Sequence, residues 1–240
     1  MAKLEAYDKA LDYSYAPGIF PATECLKNAK KRCMRLLVSS NGLQSDGVQA
    51  LERDAQEAGV RVEVADRALE RISKKENCFA AMVYKKAEGR FDEDSPHIVL
   101  HHPSDSGNLG TILRTALGFG LKNIAIIRPA VDSDDPRVVR ASMGAVFRMA
   151  VPQITEEEAL AQCREKKLML TVTALNDQAV DIRSADLSSA VAVIGSEGQG
   201  VRKSILDAAE QSVIIPMQPH CESLNAAIAA AIVMWQMKNG

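Results

Sequence analysis

Hydrophobic and polar residues follow two rhythms along the chain, and these rhythms predict alternating strands and helices. Short apolar runs between Gly, Pro or polar residues are typical of buried strands, whereas apolar residues three or four positions apart are typical of helices. The first part of the chain combines both patterns, with predicted strands at residues 34–39, 60–64 and 78–84 and predicted helices at residues 19–29, 46–58 and 66–72. We therefore predict an N-terminal α/β domain.

A polar stretch without periodicity, residues 87–96, follows this part and predicts a linker. Beyond it, the pattern predicts strands at residues 97–101, 123–127, 147–151, 168–173, 190–195 and 211–215. Helices are predicted at residues 109–117, 155–165, 201–209 and 224–238. Strands that alternate with helices predict a mostly parallel sheet with its ligand site at the carboxyl ends of the strands. The predicted domains are residues 1–90 and residues 94–240.

The composition is that of an ordinary globular chain. Its 240 residues are 47% hydrophobic and 25% charged with a net charge of −2, which excludes a disordered, collagen-like or coiled-coil protein. The longest apolar helical run, residues 224–237, is shorter than the roughly 20 residues of a membrane span, and residues 1–10 contain no apolar signal core. The five cysteines form no C-x-x-C pair, so we expect reduced thiols in a cytoplasmic protein.

Charge is distributed unevenly between the two predicted domains. Residues 1–92 carry 16 Lys and Arg against 14 Asp and Glu, whereas residues 93–240 carry 13 against 17. The basic residues of the first part form clusters, at Lys27, Lys30, Lys31, Arg32 and Arg35 and again at Lys74, Lys75, Lys85, Lys86 and Arg90. Such clusters suit a polyanion, but most of them in proteins are solvated surface. Charge alone leaves both interpretations open.

Three segments of the second part combine a strand end, a turn and a helix start. The first, residues 98–120, contains Asn108, Gly110 and Arg114. Free backbone N–H groups at a helix start attract anions, and the Arg114 guanidinium can add a bidentate contact, so phosphate is the expected ligand. A plain strand-to-helix turn with a solvent-exposed Arg114 explains the same spacing.

The second segment, residues 192–201, is an apolar strand that ends in Gly195, Gly198 and Gly200. Glycines allow the backbone to approach a ligand closely, as a nucleoside at a strand end requires. Their order differs from the dinucleotide fingerprint, and the sequence contains no P-loop and no G-x-S-x-G elbow. Glu197 is either a functional carboxylate or a charge at the start of a helix.

The third segment, residues 213–225, contains a strand, a proline-bounded loop and the start of a helix that we expect Ser223 to cap. The helix is apolar on nearly all sides, which predicts burial in the core or against another subunit. Ser223 and Asn225 are polar groups at its buried start and need partners.

Together and in this order, the three segments resemble the three motifs of the SpoU/TrmH family of RNA ribose 2′-O-methyltransferases. The matching residues are Asn108-x-Gly110-x-x-x-Arg114, Gly195-Ser-Glu197-Gly-x-Gly200, and Ile215-Pro-Met217 with Ser223-Leu-Asn225. The resemblance covers residues 94–240, and residues 1–86 are similar to the family's small RNA-binding domain of ribosomal-protein type. It implies an α/β fold whose C-terminal sheet is tied in a trefoil knot, an exception to the rule against threaded chains.

The resemblance also implies an enzyme that methylates a ribose 2′-hydroxyl of RNA with S-adenosylmethionine, and a homodimer whose active site takes residues from both subunits. The cofactor-binding positions are Gly195, Ser196, Gly198, Ile215, Met217, Leu224 and Asn225. The positions around the reacting centre are Asn108, Arg114, Glu197, Ser223 and Asn225. A guanidinium stays protonated in proteins, so we expect Arg114 to clamp a substrate phosphate and stabilise developing alkoxide charge rather than act as the base.

Two features depart from the family pattern. Pro219 stands where a glycine is usual, followed by the unusual pair His220 and Cys221. The second departure is the stretch before the first motif, residues 101–106, which lacks the short acidic-proline form common in relatives. The pair His101 and His102 in it suggests a metal, but adjacent side chains at a strand end point in opposite directions and no third ligand is near in sequence, so no metal is expected.

Several functions remain open at this stage. Ribosomal RNA is the expected substrate, because an added N-terminal RNA domain is typical of relatives that act on it, and tRNA is the alternative within the class. A catalytically silent RNA-binding relative would bind S-adenosylmethionine without methylating RNA. A nucleotide-binding oxidoreductase would need the G-x-G-x-x-G loop that the sequence lacks.

Overall fold

The computed structural model describes residues 4–73, 78–87, 97–176, 178–196, 198 and 200–240. The chain divides into two compact units: residues 1–88 with 132–148, and residues 89–131 with 149–240. The predicted linker, residues 87–96, lies outside the described residues except for Ala87. No helix in the described part of the chain is long and apolar enough to cross a membrane.

The described residues form eleven strands and eight helices. The strands are β1 (Tyr13–Pro17), β2 (Cys33–Val38), β3 (Arg61–Val64), β4 (Ala80–Lys85), β5 (His97–His101), β6 (Ile124–Ile127), β7 (Gln153–Ile154), β8 (Met169–Thr173), β9 (Val180–Asp181), β10 (Ala190–Ile194) and β11 (Gln211–Ile214). The helices are α1 (Ile19–Asn28), α2 (Asp46–Glu57), α3 (Asp66–Ile72), α4 (Ser106–Gly118), α5 (Pro136–Ala141), α6 (Glu156–Lys166), α7 (Lys203–Ala208) and α8 (Ala226–Asn239). Short 3-10 helices span Lys30–Arg32, Ser40–Gly42, Ala145–Arg148 and Ile182–Ser184.

The first unit is built on a four-stranded sheet with the order β1-β4-β2-β3. Strand β4 runs antiparallel to β1 and β2, whereas β2 and β3 are parallel. Side chains alternate between the two faces: Leu36 packs in the core with α1 and α2, and the next residue, Leu37, packs with α3. The six elements predicted in this part are confirmed to within two residues, and β1 was not predicted.

Residues 132–148 pack in the first unit, although the predicted domain boundary assigned them to the second. Val139 of α5 and Phe147 lie in the same hydrophobic core as Leu36. The Phe147 ring meets the ring of Tyr84 edge to face, with centroids 4.9 Å apart. The strand predicted at residues 147–151 is wrong, because the apolar character of Phe147 reflects this tertiary packing and the backbone there is a 3-10 helix.

Aspartates at the start of this segment connect it to the rest of the first unit. Asp132 accepts hydrogen bonds from Tyr7 Oη at 2.7 Å and Lys86 Nζ at 3.0 Å. Asp134 accepts one from Tyr84 Oη at 2.8 Å. Burial raises the pKa of Asp134, whereas the hydrogen bonds to Asp132 outweigh the effect of its burial and lower the pKa of that carboxyl.

The second unit contains a seven-stranded sheet with the order β7-β6-β5-β10-β8-β11-β9. Every strand pair in it is parallel, which confirms the prediction of a mostly parallel sheet. All residues of β10 are buried, as expected of a central parallel strand covered on both faces. Parallel pairing brings the carboxyl ends of β5, β8, β10 and β11 to one edge of the sheet, and α8 packs against α4 and β10.

Candidate functional site

A cavity of about 420 Å³ opens at the carboxyl ends of β8, β10 and β11 in the second unit. Its walls come from the ends of these three strands and from the start of α8. The side chains are apolar or neutral and polar: Thr173, Ala174, Leu175, Asn176, Ile194, Gly195, Ser196, Gly200, Val201, Leu206, Val213, Ile214, Ile215, Met217, Ser223, Leu224, Ala226 and Ala229. Such a cavity has the size and the lining of a small-molecule site.

Most of the residues predicted to bind a cofactor line this cavity. They are Gly195, Ser196, Ile215, Met217 and Leu224. Gly198 is exposed and is not part of the lining, and Asn225 lies between the lining residues Leu224 and Ala226. Glu197 lies outside the described residues.

The glycine loop after β10 closes on itself. Ser196 forms an isolated antiparallel bridge with Gly200, whose φ is +63°. A Cβ atom at Gly195 would come within 2.7 Å of Gly200 Cα, whereas a Cβ atom at Gly198 would meet nothing within 4 Å. Glycine at position 195 is therefore required by the approach of the backbone to Gly200, which the sequence did not suggest.

The three predicted motifs meet at the edge of this cavity. A small pocket beside the cavity is lined by Asn108, Gly195, Ser196 and Ala226. Asn225 Nδ2 donates a hydrogen bond to Asn108 Oδ1 at 3.0 Å. Residues far apart in the sequence are thus brought together as the motif pattern predicted.

Helix α4 begins three residues earlier than predicted, and its first turn is already capped. The Asp105 carboxylate accepts a hydrogen bond from the Asn108 backbone N–H at 2.7 Å. A carboxylate at a helix N-terminus satisfies the free N–H groups and compensates the helix dipole. The anion site predicted at this helix start is therefore occupied by the protein's own Asp105.

Arg114 lies outside the cavity of its own chain. It is exposed on α4, on a stripe with Gly107, Thr111 and Gly118. Within the described residues, its guanidinium makes no hydrogen bond and no ion pair. The side chain is free to contact a molecule that approaches this face of α4.

Asn225, and not Ser223, caps α8. Asn225 Oδ1 accepts hydrogen bonds from the backbone N–H groups of Ala227 at 2.9 Å and Ile228 at 3.4 Å. Ser223 lines the cavity instead. The prediction that Ser223 caps the helix is wrong, since the helix begins two residues later than the apolar pattern suggested.

The unusual loop before α8 contains a tight turn. The Cys221 N–H donates to the Gln218 carbonyl at 2.9 Å, which encloses Pro219 and His220. Proline suits the second position of such a turn because its φ is preset. Pro219 thus fits the loop, and Met217 and Ser223 on either side of the turn both line the cavity.

Thr173 at the end of β8 and residues 174–176 after it line the cavity, but they were not predicted as site residues. Leu175 is 65% exposed, although it is apolar. The signal available in the sequence was their position after a buried parallel strand, where ligands bind in open α/β sheets.

His101 and His102 face the same side of the chain, contrary to the expectation from strand geometry. The φ of His102 is +52°, which ends the strand alternation and brings the two ring centroids to 4.0 Å. Glu156 of α6 lies against both rings. The premise that the two rings point in opposite directions is therefore wrong, and the third group beside them, Glu156, is distant in sequence.

Sequence comparison connects the second unit to a known family. The model of the SpoU rRNA Methylase family matches residues 95–235, which is more than half of the chain. An uncharacterized tRNA/rRNA methyltransferase from Synechocystis sp. is 32% identical over 142 residues, which covers 59% of this chain and 52% of that protein. The chain thus spans about half the length of this relative.

Solved structures resemble the chain over nearly its whole length. An rRNA methyltransferase from Sinorhizobium meliloti with bound AdoMet has a TM-score of 0.79 and 24% identity, covering 94% of this chain and 87% of that chain. An RNA 2′-O ribose methyltransferase has a TM-score of 0.74 and 26% identity, covering 94% and 88%. The first likeness shows the fold.

Proposed function

Because the chain belongs to the SpoU rRNA methylase family, we propose that it transfers a methyl group from S-adenosylmethionine to a ribose 2′-hydroxyl of RNA. The observation that carries this proposal is the convergence of three separate motifs at one cavity, joined by the Asn225–Asn108 hydrogen bond. The solved RNA 2′-O ribose methyltransferase supports the choice of the ribose hydroxyl.

The cavity fits a nucleoside-like cofactor. Its volume of about 420 Å³ and its position at the ends of β8, β10 and β11 suit an adenosyl group. Apolar side chains such as Ile215 and Leu224 offer contact to an aromatic ring, and the backbone of the Gly195 loop offers hydrogen-bonding groups. The cofactor supplies an activated methyl group when it is bound. The chain's own residues have to position the hydroxyl, exclude water and remove a proton.

Among the described residues, the cavity has neutral polar groups such as Ser223, and the small pocket beside it has Asn108 together with Asp105 and His101. Asn108, Ser223 and Asn225 can orient a ribose by hydrogen bonds, and they supply no strong base. Arg114 adds a planar, permanently charged fork that suits a phosphate and a developing alkoxide. The proton acceptor stays unassigned, and Glu197 is the sequence candidate near the motif.

A second copy of the chain completes this arrangement in our proposal. Trp235 and Ile228 on α8 are 57% and 54% exposed in the single chain, although the sequence predicted a helix covered nearly all round. Trp235 packs edge-on against Phe119, the residue that follows α4, with ring centroids 5.8 Å apart, so the apolar surface extends from α8 to the end of α4. A homodimer built on this surface would cover it and bring Arg114 toward the partner's cavity.

We also propose that the C-terminal segment is knotted. The support is the strand order, in which β10 lies between β5 and β8, and β11 lies between β8 and β9. Later strands thus enter between earlier ones before α8 packs back onto α4.

The first unit is proposed to bind the RNA. Of its predicted basic cluster, Arg32 is paired with Asp134 and Arg35 with Glu63. Lys27, Lys30 and Lys31 are exposed and make no ion pair among the described residues. These three cations suit phosphate contacts. Ribosomal RNA is the proposed target and tRNA the alternative within the family.

The deciding experiment maps 2′-O-methyl groups in total RNA from cells with and without the gene, together with methyl transfer by the purified protein to the same RNA. We expect one or a few ribose methylations to disappear without the gene and to return with the protein. An unchanged methylation map together with cofactor binding would instead identify a catalytically silent RNA-binding relative.

A further inference from the structure

Two histidines and a glutamate of the second unit bring three ligand atoms to one point. His101 Nε2 and His102 Nε2 lie 3.3 Å and 3.6 Å from the same oxygen, Glu156 Oε1. All three atoms lie within 4.8 Å of one another. The side chains of His101 and His102 are only 1% and 10% exposed, so this cluster is almost closed to solvent.

The outer nitrogens of both rings are fixed by backbone carbonyls. His101 Nδ1 lies 3.2 Å from the Gly200 oxygen, and His102 Nδ1 lies 3.1 Å from the Pro129 oxygen. A carbonyl oxygen only accepts hydrogen bonds, so each Nδ1 donates its hydrogen. In a neutral imidazole, Nε2 then carries a lone pair and no hydrogen.

Two nitrogen lone pairs and a carboxylate oxygen therefore face each other across a buried centre. His102 Nε2 is buried without a hydrogen-bond partner among the described residues. Acceptors that face one another repel unless a proton or a cation lies between them. A cation bound between the two Nε2 atoms and the carboxylate would remove this repulsion.

The pKa values of two of these side chains are shifted in the direction that suits a cation. Burial is the main cause that lowers the pKa of His101. Burial raises the pKa of Glu156, but the hydrogen bond from Ser204 and the charge of Arg202 oppose this effect, and the pKa is lowered. Neutral imidazole and ionised carboxylate are the forms that bind metal ions.

The distances also match a metal site. Zn²⁺ bonds to nitrogen and oxygen at about 2.0–2.1 Å in a tetrahedron, which separates the ligand atoms by about 3.3 Å. The observed separations from Glu156 Oε1 are 3.3 Å and 3.6 Å. Metal-binding histidines commonly donate their other N–H to a backbone carbonyl, as both rings do here.

We propose that His101, His102 and Glu156 bind one divalent transition-metal ion, with Zn²⁺ as the best-fitting ion. A water molecule would complete the tetrahedron. Through the Gly200 carbonyl, the ion would hold the loop that closes the end of the cavity. This inference does not depend on methyl transfer.

The positive charge of Arg202 disfavours the binding of an ion at this site. Its Nη1 donates to Glu156 Oε1 at 2.9 Å and places a positive charge beside the site. The Arg202 side chain is 58% exposed, so it can rotate into solvent when the ion binds. Replacing Arg202 with Gln should therefore tighten the binding of metal.

The test is a titration of the EDTA-treated full chain with Zn²⁺, followed by calorimetry and by thermal unfolding, with Co²⁺ as a spectroscopic probe. We expect one ion per chain, a higher Tm, and the absorption of tetrahedral Co²⁺. His102→Asn should weaken the affinity at least about 100-fold, since one of three ligands is lost. Asparagine tolerates positive φ, so the backbone is retained.

Two further variants keep the result unambiguous. The double variant His220→Ala/Cys221→Ser removes an exposed pair of competing ligands and should bind the ion as the wild type does. Glu156→Gln tests the site independently if His102→Asn does not fold, and Arg202→Gln should bind more tightly than the wild type. The proposal is overturned if the wild type binds no Zn²⁺ up to about 1 mM, or if a ligand variant that folds binds it with unchanged affinity.

Discussion

The side chain of Asn225 connects α8 to α4 while it caps α8. Its Nδ2 donates to Asn108 Oδ1 at 3.0 Å across 117 sequence positions, and its Oδ1 accepts from Ala227 N–H at 2.9 Å. The cap determines where α8 begins, and the hydrogen bond to Asn108 determines where that start lies relative to α4. Asn is suited to both tasks because one side chain offers an acceptor and a donor.

Asn225→Ser should separate these two tasks. Serine is a good N-cap, so the free energy of unfolding should stay within about 0.5 kcal/mol of the wild type. Serine is too short to reach Asn108, so the hydrogen bond between α8 and α4 is lost. Methyl transfer should fall, because the two motifs are no longer tied. Asn225→Ala should lose about 1 kcal/mol in addition, since the cap is lost. Urea unfolding and turnover measure the two effects.

Asn108→Ala is the matched control from the other side of this hydrogen bond. It leaves the cap of α8 intact and should reproduce the loss of turnover seen with Asn225→Ser. Full activity in either variant would contradict a functional role of the link.

Arg114→Lys should behave almost like Arg114→Ala. A lysine ammonium cannot reproduce the planar fork, and loss of a donor to developing charge lowers kcat on the order of 10²-fold. RNA affinity should change little. Single-turnover rates and filter binding distinguish these outcomes, and near-native turnover of the lysine variant would refute the clamp.

Mixed dimers test whether Arg114 acts on the partner's cavity. Arg114→Ala and a cavity-filling variant, Leu224→Trp, should each be inactive alone. After random exchange of subunits, heterodimers with one intact composite site should restore about a quarter of wild-type activity. No recovery in dimers that demonstrably exchange would indicate that Arg114 serves its own chain.

Gly195→Ala should be far more harmful than Gly198→Ala. A Cβ at position 195 would come within 2.7 Å of Gly200 Cα, whereas a Cβ at position 198 meets nothing within 4 Å. We expect the first variant to lose about 1–3 kcal/mol of stability and to bind S-adenosylmethionine at least about tenfold more weakly. Calorimetry with the cofactor and thermal unfolding give both numbers. A stable Gly198→Ala variant that loses cofactor affinity would show instead that the ligand contacts the backbone there.

Lys30→Gln/Lys31→Gln should weaken RNA binding without lowering kcat at saturating RNA. Each lost phosphate contact reduces the slope of log affinity against log salt by about 0.7–0.9. Binding titrations at several salt concentrations measure this slope. Arg53→Gln, which removes an exposed cation of α2, is the control, and an equal effect of both changes would mean that the charge acts without a defined surface.

The sequence predicted the strands and helices well where local pattern and burial agree. The short apolar run at residues 34–39 identified β2, and it is apolar throughout because Leu36 and Leu37 are buried in cores on opposite faces of the sheet. Phe147 misled the prediction because its burial comes from a distant part of the chain. Helix starts were also displaced, since Asp105 caps α4 before the apolar run that marked this helix, whereas Asn225 caps α8 inside the run that marked that one.

The sequence predicted which residues belong to the site, but it did not predict how their side chains are arranged. The motif pattern correctly predicted that Asn108, Gly195 and Asn225 lie near one another, because each motif follows a strand whose carboxyl end lies at the same edge of the sheet. The position of Arg114 on an exposed stripe depends on the helix phase and on a partner surface that one chain does not contain. The His101–His102 arrangement depends on a single backbone dihedral, the φ of +52° at His102, which no side-chain pattern encodes.

Asp132→Asn should destabilise the first unit at neutral pH and lose this effect in acid. Hydrogen bonds from Tyr7 and Lys86 lower the pKa of Asp132 below its ordinary value of 3.8, despite the opposing effect of burial. A carboxyl group with a lowered folded pKa stabilises the fold fully above its unfolded pKa, and this stabilisation is lost as the pH falls through the folded pKa. At pH 7 the variant should therefore lose about 1–3 kcal/mol of unfolding free energy. At pH 3 or below the difference from the wild type should shrink.

The neighbouring Asp134 affects the pH dependence of stability in the opposite direction, because burial raises its pKa. The contribution of Asp132 is therefore isolated only by the difference between the wild type and the variant. Urea unfolding followed by circular dichroism at both pH values measures it, with Asp207→Asn, which breaks only an exposed ion pair, as the control. A difference that stays constant between pH 7 and pH 3 would mean that shape, and not charge, is what Asp132 contributes.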